Sequence, residues 1–244
     1  NAGQDTLSLA TLGAQVLGVD ISDEAISFAR SLARDADIPA RFERADVYDW
    51  LSGTDERFEI AFSSYGVLGW LSDLSTWARG IARILEPGGR FVLLEFHSMI
   101  YMFEDALSGT DGAAGAGSED EPLGERLRLR YAYSGGAHYS MEEGVSDYVA
   151  ASEDGLCPQG YETGIENFAN PHRSEEFAWG IEDTVSAILD AGLHLTCLRE
   201  YPYSAGCRQF PFMKDIGGRR YALPGGPQGV PYIPHMFGLI AVKP

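Results

Sequence analysis

The chain has 244 residues, 45% hydrophobic and 11% aromatic, which suits one large domain or a domain with an inserted lid and excludes a disordered or fibrous chain. Its net charge of −18 repels a nucleic-acid backbone and an anionic membrane surface. No apolar run is long enough to cross a membrane, and Cys157, Cys197 and Cys207 are too few and too scattered for a disulfide framework or a zinc site, so a cytoplasmic, metal-free protein is expected.

In chain order, Asn1-Ala2-Gly3-Gln4-Asp5 reads as a glycine-containing turn entering a helix over Asp5 to Leu12, which stops at Gly13. In an α/β domain such a turn follows a buried strand, so the sequence predicts that the first, central strand is missing ahead of Asn1. Ala14 to Asp20 reads as a buried strand. Ser22 caps a helix whose inner face is Ala25, Ile26, Ala29, Leu32 and Ala33, with Asp23 and Glu24 in its first turn. Arg41 to Asp46 and Phe58 to Ser64 read as strands. Asp73 caps a helix with Leu74, Trp77, Ile81, Ile84 and Leu85 at helical spacing. Pro87-Gly88-Gly89 turns the chain into a strand over Arg90 to Phe96.

Composition then shifts. Glu104 to Glu125 carries acids and no Lys or Arg around GTDGAAGAGSEDEPLG, the mark of a flexible or exposed loop. Arg126 to Tyr133 alternates as a half-buried strand, with Val145 to Ala151 as its expected partner. Residues 104–170 are therefore expected to form an insertion over the ligand cleft, between a core segment 1–103 and its remainder 171–244. In that remainder Ser174 is expected to cap a helix with Phe177, Ile181, Val185, Ile188 and Leu189 on one face, ending at Gly192. Leu193 to Tyr201 and His235 to Val242 read as strands, and 204–234 as mostly loop.

Alternating helices and strands predict an α/β domain with a parallel sheet, and ligands bind such sheets beyond the carboxyl ends of the strands. Asp20 ends a strand 17 residues after Gly3, where a carboxylate can accept hydrogen bonds from ribose hydroxyls and the glycine turn lets a ligand approach the backbone. Asp46 either accepts from an adenine amino group or caps its own loop. The order of glycine turn, acid, acid and aromatic loop carries more weight than any one of them.

These segments resemble a known family. NAGQDTLSLATLGAQVLGVDISDEAISFAR looks like the glycine loop, helix, strand and acidic motif of class I S-adenosylmethionine-dependent methyltransferases. RFERADVYDW resembles their adenine-contacting segment, FEIAFSSYGVLGWLSDLSTWARGIARILEPGGRFVLLEFH their fourth strand to fifth strand, HRSEEFAWGIEDTVSAILDAGLHL the helix before their sixth strand, and HMFGLIAVKP their antiparallel last strand. The resemblance covers about two thirds of the chain. It departs at the start, where Asn1 and Ala2 stand in place of a Gly-x pair.

The resemblance implies a Rossmann-like, doubly wound, seven-stranded sheet with an antiparallel last strand. It implies S-adenosylmethionine as methyl donor and S-adenosylhomocysteine as product. By position Asn1, Ala2, Gly3 and Asp5 would face the methionine part, Asp20 the ribose and Ile21 the adenine ring. Asp46 with Val47 would meet the adenine edge, and Ser63, Ser64 and Tyr65 would lie below the sulfonium. An NAD-dependent oxidoreductase is the alternative, but Gly3 is followed by Gln4, Asp5 and Thr6, with no third glycine in register, and Asp5 would repel a pyrophosphate. A non-catalytic Rossmann-type binding domain is a third reading.

A pre-activated methyl donor leaves alignment and desolvation as the main catalytic needs, with a base useful where the acceptor must lose a proton. His97, just after a strand, and His172, ahead of the expected helix, are the candidate bases; the alternative readings are a loop hydrogen-bonder for His97 and packing near the helix cap for His172. Trp70, Tyr101, Tyr139 and Arg173 are candidates for the acceptor, with Arg173 alternatively pairing Glu175 or Glu176. Arg208 and Lys214 share that ambiguity. A small-molecule acceptor methylated on O, N or S, without nucleic acid or membrane, is expected, on a monomer or homodimer.

Overall fold

The structure, a computed structural model, describes residues 3–103, 127–142, 172–210, 212–225 and 233–244. No helix among them is long and apolar enough to cross a membrane.

The chain enters through α1 (Gln4–Thr11) into β1 (Leu17–Asp20), crosses over α2 (Asp23–Asp35) and returns as β2 (Arg41–Arg44), parallel to β1. The first crossover forms as its sequence dictates. Ser22 Oγ accepts from Ala25 N at 3.1 Å and caps α2, with Asp23 and Glu24 beside the exposed N–H groups of the first turn. Ile26, Ala29 and Ala33 then face Leu7 of α1 and Phe42 of β2 in a small core.

α3 (Val47–Gly53) leads to β3 (Phe58–Ser63), then α4 (Leu74–Ile84) and β4 (Leu85–Phe96), parallel to β3. Asp73 caps α4, its Oδ1 taking Thr76 N at 2.9 Å and its Oδ2 the Thr76 hydroxyl at 2.6 Å. Hydrogen bonds from Thr76 hold the Asp73 carboxyl below its ordinary pKa. Leu74, Trp77, Ala78, Ile81 and Ile84 form the buried stripe, and Trp77 meets Phe91 edge-to-face at 5.4 Å.

Pro87-Gly88-Gly89 does not separate a helix from a strand, as expected, but sits within β4. Leu85 pairs with Phe58 and Arg90 with Ile60, so Glu86–Gly89 bulge outward. Gly88 takes φ +78°, and a Cβ on Gly89 would lie 2.8 Å from the Glu86 carbonyl oxygen, so both glycines are required by the bulge. Lys243 closes it, donating its N–H to Gly89 O at 2.9 Å and its ammonium to Leu85 O at 2.7 Å.

β5 (Ala137–Met141) and β6 (Ser174–Ala178) form an antiparallel pair. Here the sequence reading is corrected. Ser174 does not cap a helix; it opens a strand, and α5 (Ile181–Asp190) begins after Gly180. The Asp183 carboxylate accepts from Gly180 N and from Gly135 N, each at 2.8 Å, which ties α5 to the hairpin. Arg126 and the partner segment Val145 to Ala151 lie outside the described residues, as does most of 104–170. Of the expected strand over 126–133, the described part is irregular apart from an isolated bridge from Leu129 to Phe103.

β7 (His194–Tyr201) and β11 (Met236–Val242) complete a four-stranded sheet ordered β3-β4-β11-β7, with β11 antiparallel to both neighbours. Flanked on both sides, β11 is an apolar run in which Met236, Phe237, Leu239 and Ala241 are buried. Its main core joins Leu93, Phe237 and Leu239 to Trp77, Ile81 and Ile188. Among the described residues β1-β2 form a separate two-stranded sheet, so the six strands do not make one continuous seven-stranded sheet. On β3, Ala61 faces the main core while Ile60 and Phe62 are exposed.

The stretch expected to be mostly loop is instead a small cap. β8 (Ser204–Ala205), β9 (Lys214–Asp215) and β10 (Arg220–Ala222) form a three-stranded antiparallel sheet. It has its own core of Phe210, Met213, Tyr221 and Leu223 against Ile100 and Phe103. The cap is therefore packed on the segment that leaves β4.

Candidate active site

The carboxyl ends of β1, β2, β3, β4 and β7 deliver Asp20, Arg44, Ser63, Phe96 and Tyr201, and the segments beyond them hold the residues singled out from the sequence. Asn1 and Ala2 lie outside the described residues. Gly3 is buried at φ +83°, and a Cβ there would lie 2.7 Å from that of Ala29, so the turn admits no side chain. Asp5 stands in the first turn of α1.

Asp20 ends β1 with Oδ1 accepting from Ser22 N at 2.9 Å. Ile21 follows it, 59% exposed, an apolar surface beside an acid. The Ile21 carbonyl accepts from Arg44 Nε at 3.1 Å, which joins the loops after β1 and β2. Asp46 is the N-cap of α3, its Oδ1 accepting from Tyr48 N at 2.7 Å, and Val47 packs on the main core.

β3 and β4 meet at a buried carboxylate. Glu95 accepts from three successive backbone N–H groups beyond β3, those of Gly66, Val67 at 2.8 Å and Leu68 at 3.2 Å, and from Phe96 N at 2.7 Å. Burial raises the Glu95 pKa and the N–H donors oppose that rise. Such a concave run of N–H groups is an anion nest, filled here by the chain's own carboxylate. Gly66 takes φ +78°, which lets the loop curl around it. Glu95 stands among the strand-end residues in the sequence but was given no role there; its signal was an acid inside the apolar run RFVLLEF.

Glu95 fixes the loop that carries Ser63, Ser64 and Tyr65. The Tyr65 ring lies 5.8 Å from that of Phe96, beside Tyr101, Tyr201, Cys207 and Met236. Burial raises the Tyr65 hydroxyl pKa, and the Asp5 carboxylate adds to it. Asp5, Tyr65 and Tyr101 thus converge, with Tyr201 and Tyr203 added by the structure. A short 3-10 turn, Leu68–Trp70, touches β6 instead, and there Trp179 Nε1 donates to Leu71 O at 2.7 Å. Trp70 is 51% exposed.

His97 is buried, with both ring nitrogens in use. Nδ1 accepts from Met99 N at 3.1 Å, so the proton sits on Nε2, which donates to Glu200 Oε1 at 2.9 Å. Next to it is His235, whose N–H bonds Tyr201 O at 2.8 Å and whose carbonyl accepts from His97 N. Its Nδ1 donates to Gln209 Oε1 at 2.7 Å. Its Nε2 and the Ser204 hydroxyl are buried without a hydrogen-bond partner. Burial, then the proximity of His97, lowers the His235 pKa to about 4.

Tyr139 and Arg173 lie on the β5–β6 hairpin and serve it. Tyr139 Oη accepts from Ala132 N at 2.7 Å, and Arg173 pairs with Glu175 at 2.9 Å and with the Ser140 hydroxyl. His172, exposed, precedes β6.

These residues suit an adenosyl ligand with a cationic sulfonium. Asp20 ends β1 with the exposed apolar Ile21 after it, Asp46 follows β2 as the N-cap of α3, and Asp5 lies in the first turn of α1 after a glycine that admits no side chain. Residues 1–89 match the model of the methyltransferase domain family. Over that stretch the chain is similar to this family.

The whole chain also resembles solved methyltransferases in fold. Its fold is shared by an S-adenosylmethionine-dependent methyltransferase described as putative, from Listeria monocytogenes, 14% identical, with TM-score 0.57 over 100% of this chain and 87% of that one. It is shared by one from Clostridium acetobutylicum, 12% identical, with TM-score 0.55 over 99% and 80%. The glycopeptide N-methyltransferase MtfA, in complex with sinefungin, is 17% identical with TM-score 0.53 over 100% and 77%. No curated protein matches the sequence.

Proposed function

We propose that this chain is an S-adenosylmethionine-dependent methyltransferase that moves a methyl group to an oxygen, nitrogen or sulfur atom of a small molecule bound between the aromatic cluster and the cap. The observation that carries this reading is the convergence of Asp5, Tyr65, Tyr101 and Tyr201 at the loop Glu95 fixes. S-adenosylmethionine, when bound, supplies an electrophilic methyl group already activated for displacement.

The chain's residues bind and align. Asp20 would accept the ribose hydroxyls, Ile21 would cover one face of the adenine, and Val47 with the Asp46 carboxyl would meet its edge. Gly3 and Asp5, with Asn1 and Ala2, would face the methionine part. Ser63, Ser64 and Tyr65 would form the floor near the transferring carbon, with the electron-rich Tyr65 and Phe96 faces suited to a positive charge. Trp70, Tyr101, Tyr139 and Arg173 are proposed acceptor contacts, and residues 104–170 a lid that excludes water.

His97 as a base would first have to release Met99 N–H, so we assign it to holding Glu200 and the start of the cap. His172 remains the second candidate. If His97→Ala and His172→Ala both keep turnover within a few-fold, alignment alone accounts for the reaction.

Transfer of a labelled methyl from S-adenosylmethionine into a fractionated cell extract tests the reading, with Asp20→Ala as control. Label in the low-molecular-weight fraction, lost with Asp20→Ala, is expected. Label confined to protein or nucleic acid would overturn the small-molecule acceptor.

A further inference from the structure

The cap inverts the charge of the chain. Across 204–225 stand Arg208, Lys214, Arg219 and Arg220 against the single Asp215, in a protein of net charge −18. These cations are not spread over a loose loop. The cap is folded around Phe210, Met213, Tyr221 and Leu223 and packed on Ile100 and Phe103, so its charges are held in fixed positions.

Two of them lie over aromatic faces. The Arg220 guanidinium is 5.3 Å from the centre of the Tyr203 ring, and Arg208 is 5.3 Å from that of Tyr221. Arg220 Nε is anchored on Gly217 O at 3.1 Å, which leaves its Nη groups as the outward face of the fork. Among the described residues no carboxylate lies within ion-pair distance of Arg220.

The stacked pair leads straight to the reaction site. Tyr203 lies 5.7 Å from Tyr201, which packs with Tyr65 on the cluster of Phe96, Cys207 and Met236. Stacking leaves a guanidinium edge open for a planar, two-point contact with an oxyanion. In a chain this acidic, the cap is a local cationic patch to which an anionic molecule would be drawn.

We propose that the acceptor is a flat aromatic molecule carrying an oxyanion, a carboxylate or a phosphate, whose ring lies among Tyr65, Tyr201 and Tyr203 and whose oxyanion is taken by Arg220 with support from the other cap cations. This rests on the methyltransferase reading above and adds to it the chemical class of the acceptor.

The test is calorimetric titration of the protein saturated with S-adenosylhomocysteine. Three probes of one ring are used: 4-hydroxybenzoate, 4-hydroxyphenyl phosphate and the neutral 4-hydroxybenzamide. At least one anion is expected to bind about tenfold or more tighter than the amide, and whether the carboxylate or the phosphate does so settles the group. Arg220→Gln is expected to remove about tenfold of that affinity and to leave S-adenosylhomocysteine binding unchanged. Should Arg220→Gln fold poorly, Arg220→Lys, which keeps the charge and loses the fork, is expected to lose several-fold. Equal binding of the amide, no binding by either anion, or full anion affinity in the folded variant overturns the proposal. Failure of S-adenosylhomocysteine to bind the unmodified protein would instead overturn the cofactor-site reading on which it rests.

Discussion

Glu95 accepts a hydrogen bond from the backbone N–H of Val67 at 2.8 Å, across 28 residues of sequence. That contact, with its companions from Gly66 and Leu68, locks the loop after β3 to the end of β4. Glu95→Gln replaces an acceptor oxygen with an amide that itself donates, so at least one buried N–H loses its partner. A loss of about 1–3 kcal/mol is expected in urea denaturation, with weaker S-adenosylhomocysteine binding in calorimetry. A variant as stable and as tight-binding as the parent would mean that the loop holds itself.

Asp20→Ala removes a carboxylate proposed to accept charge-assisted hydrogen bonds from the ribose. S-adenosylhomocysteine affinity is expected to fall by about 1–3 kcal/mol, roughly tenfold to a hundredfold in Kd. The thermal midpoint of the free protein serves as the folding control, and unchanged affinity would remove Asp20 from the site.

Gly3 and Gly13 separate two effects. Both have positive φ, but a Cβ at Gly3 meets Ala29 at 2.7 Å while one at Gly13 meets nothing within 4 Å. Gly13→Ala is expected to cost about 1 kcal/mol from backbone strain alone. Gly3→Ala is expected to cost clearly more, about 2–4 kcal/mol, since overpacking adds to that strain. Equal losses in chemical denaturation would show that α1 shifts freely against α2.

His235 gives the fold a pH dependence. Its folded pKa, about 4, lies below the ordinary value of 6.5, so the unfolded chain binds a proton that the folded chain refuses. Its contribution is fully present above pH 6.5 and is lost as pH falls toward 4. The size is on the order of 3 kcal/mol. His235→Gln, which cannot titrate, is expected to flatten that part of the stability profile; a profile as steep as the parent's would assign the dependence to other groups.

The order of elements through α4 was legible because each device was local. Ser22 and Asp73 cap the helices they precede, and the stripes of Ile26, Ala29 and Ala33 and of Leu74, Trp77 and Ile81 have helical spacing. Ser174 misled because Phe177, Ile181 and Val185 are spaced four apart and continue one helical face backward. Tertiary pairing with β5 wins there, and Gly180 marks the true boundary. The cap was hidden because its strands run two or three residues and their order is set by Phe210 and Tyr221 packing on distant Ile100 and Phe103. The positions of Asp20 and Tyr65, at and just beyond strand ends, were readable from the sequence. Tyr201, Tyr203 and the nest around Glu95 were not, because only the meeting of β4, β7 and the loop after β3 brings them there.

The most direct measurement is parallel calorimetric titration of the protein with S-adenosylmethionine, S-adenosylhomocysteine and NAD. The carboxylates and the aromatic floor predict micromolar binding of both sulfur ligands and none of NAD. Binding of NAD alone, or of none of the three, would contradict a methyl-donor site at the carboxyl ends of these strands.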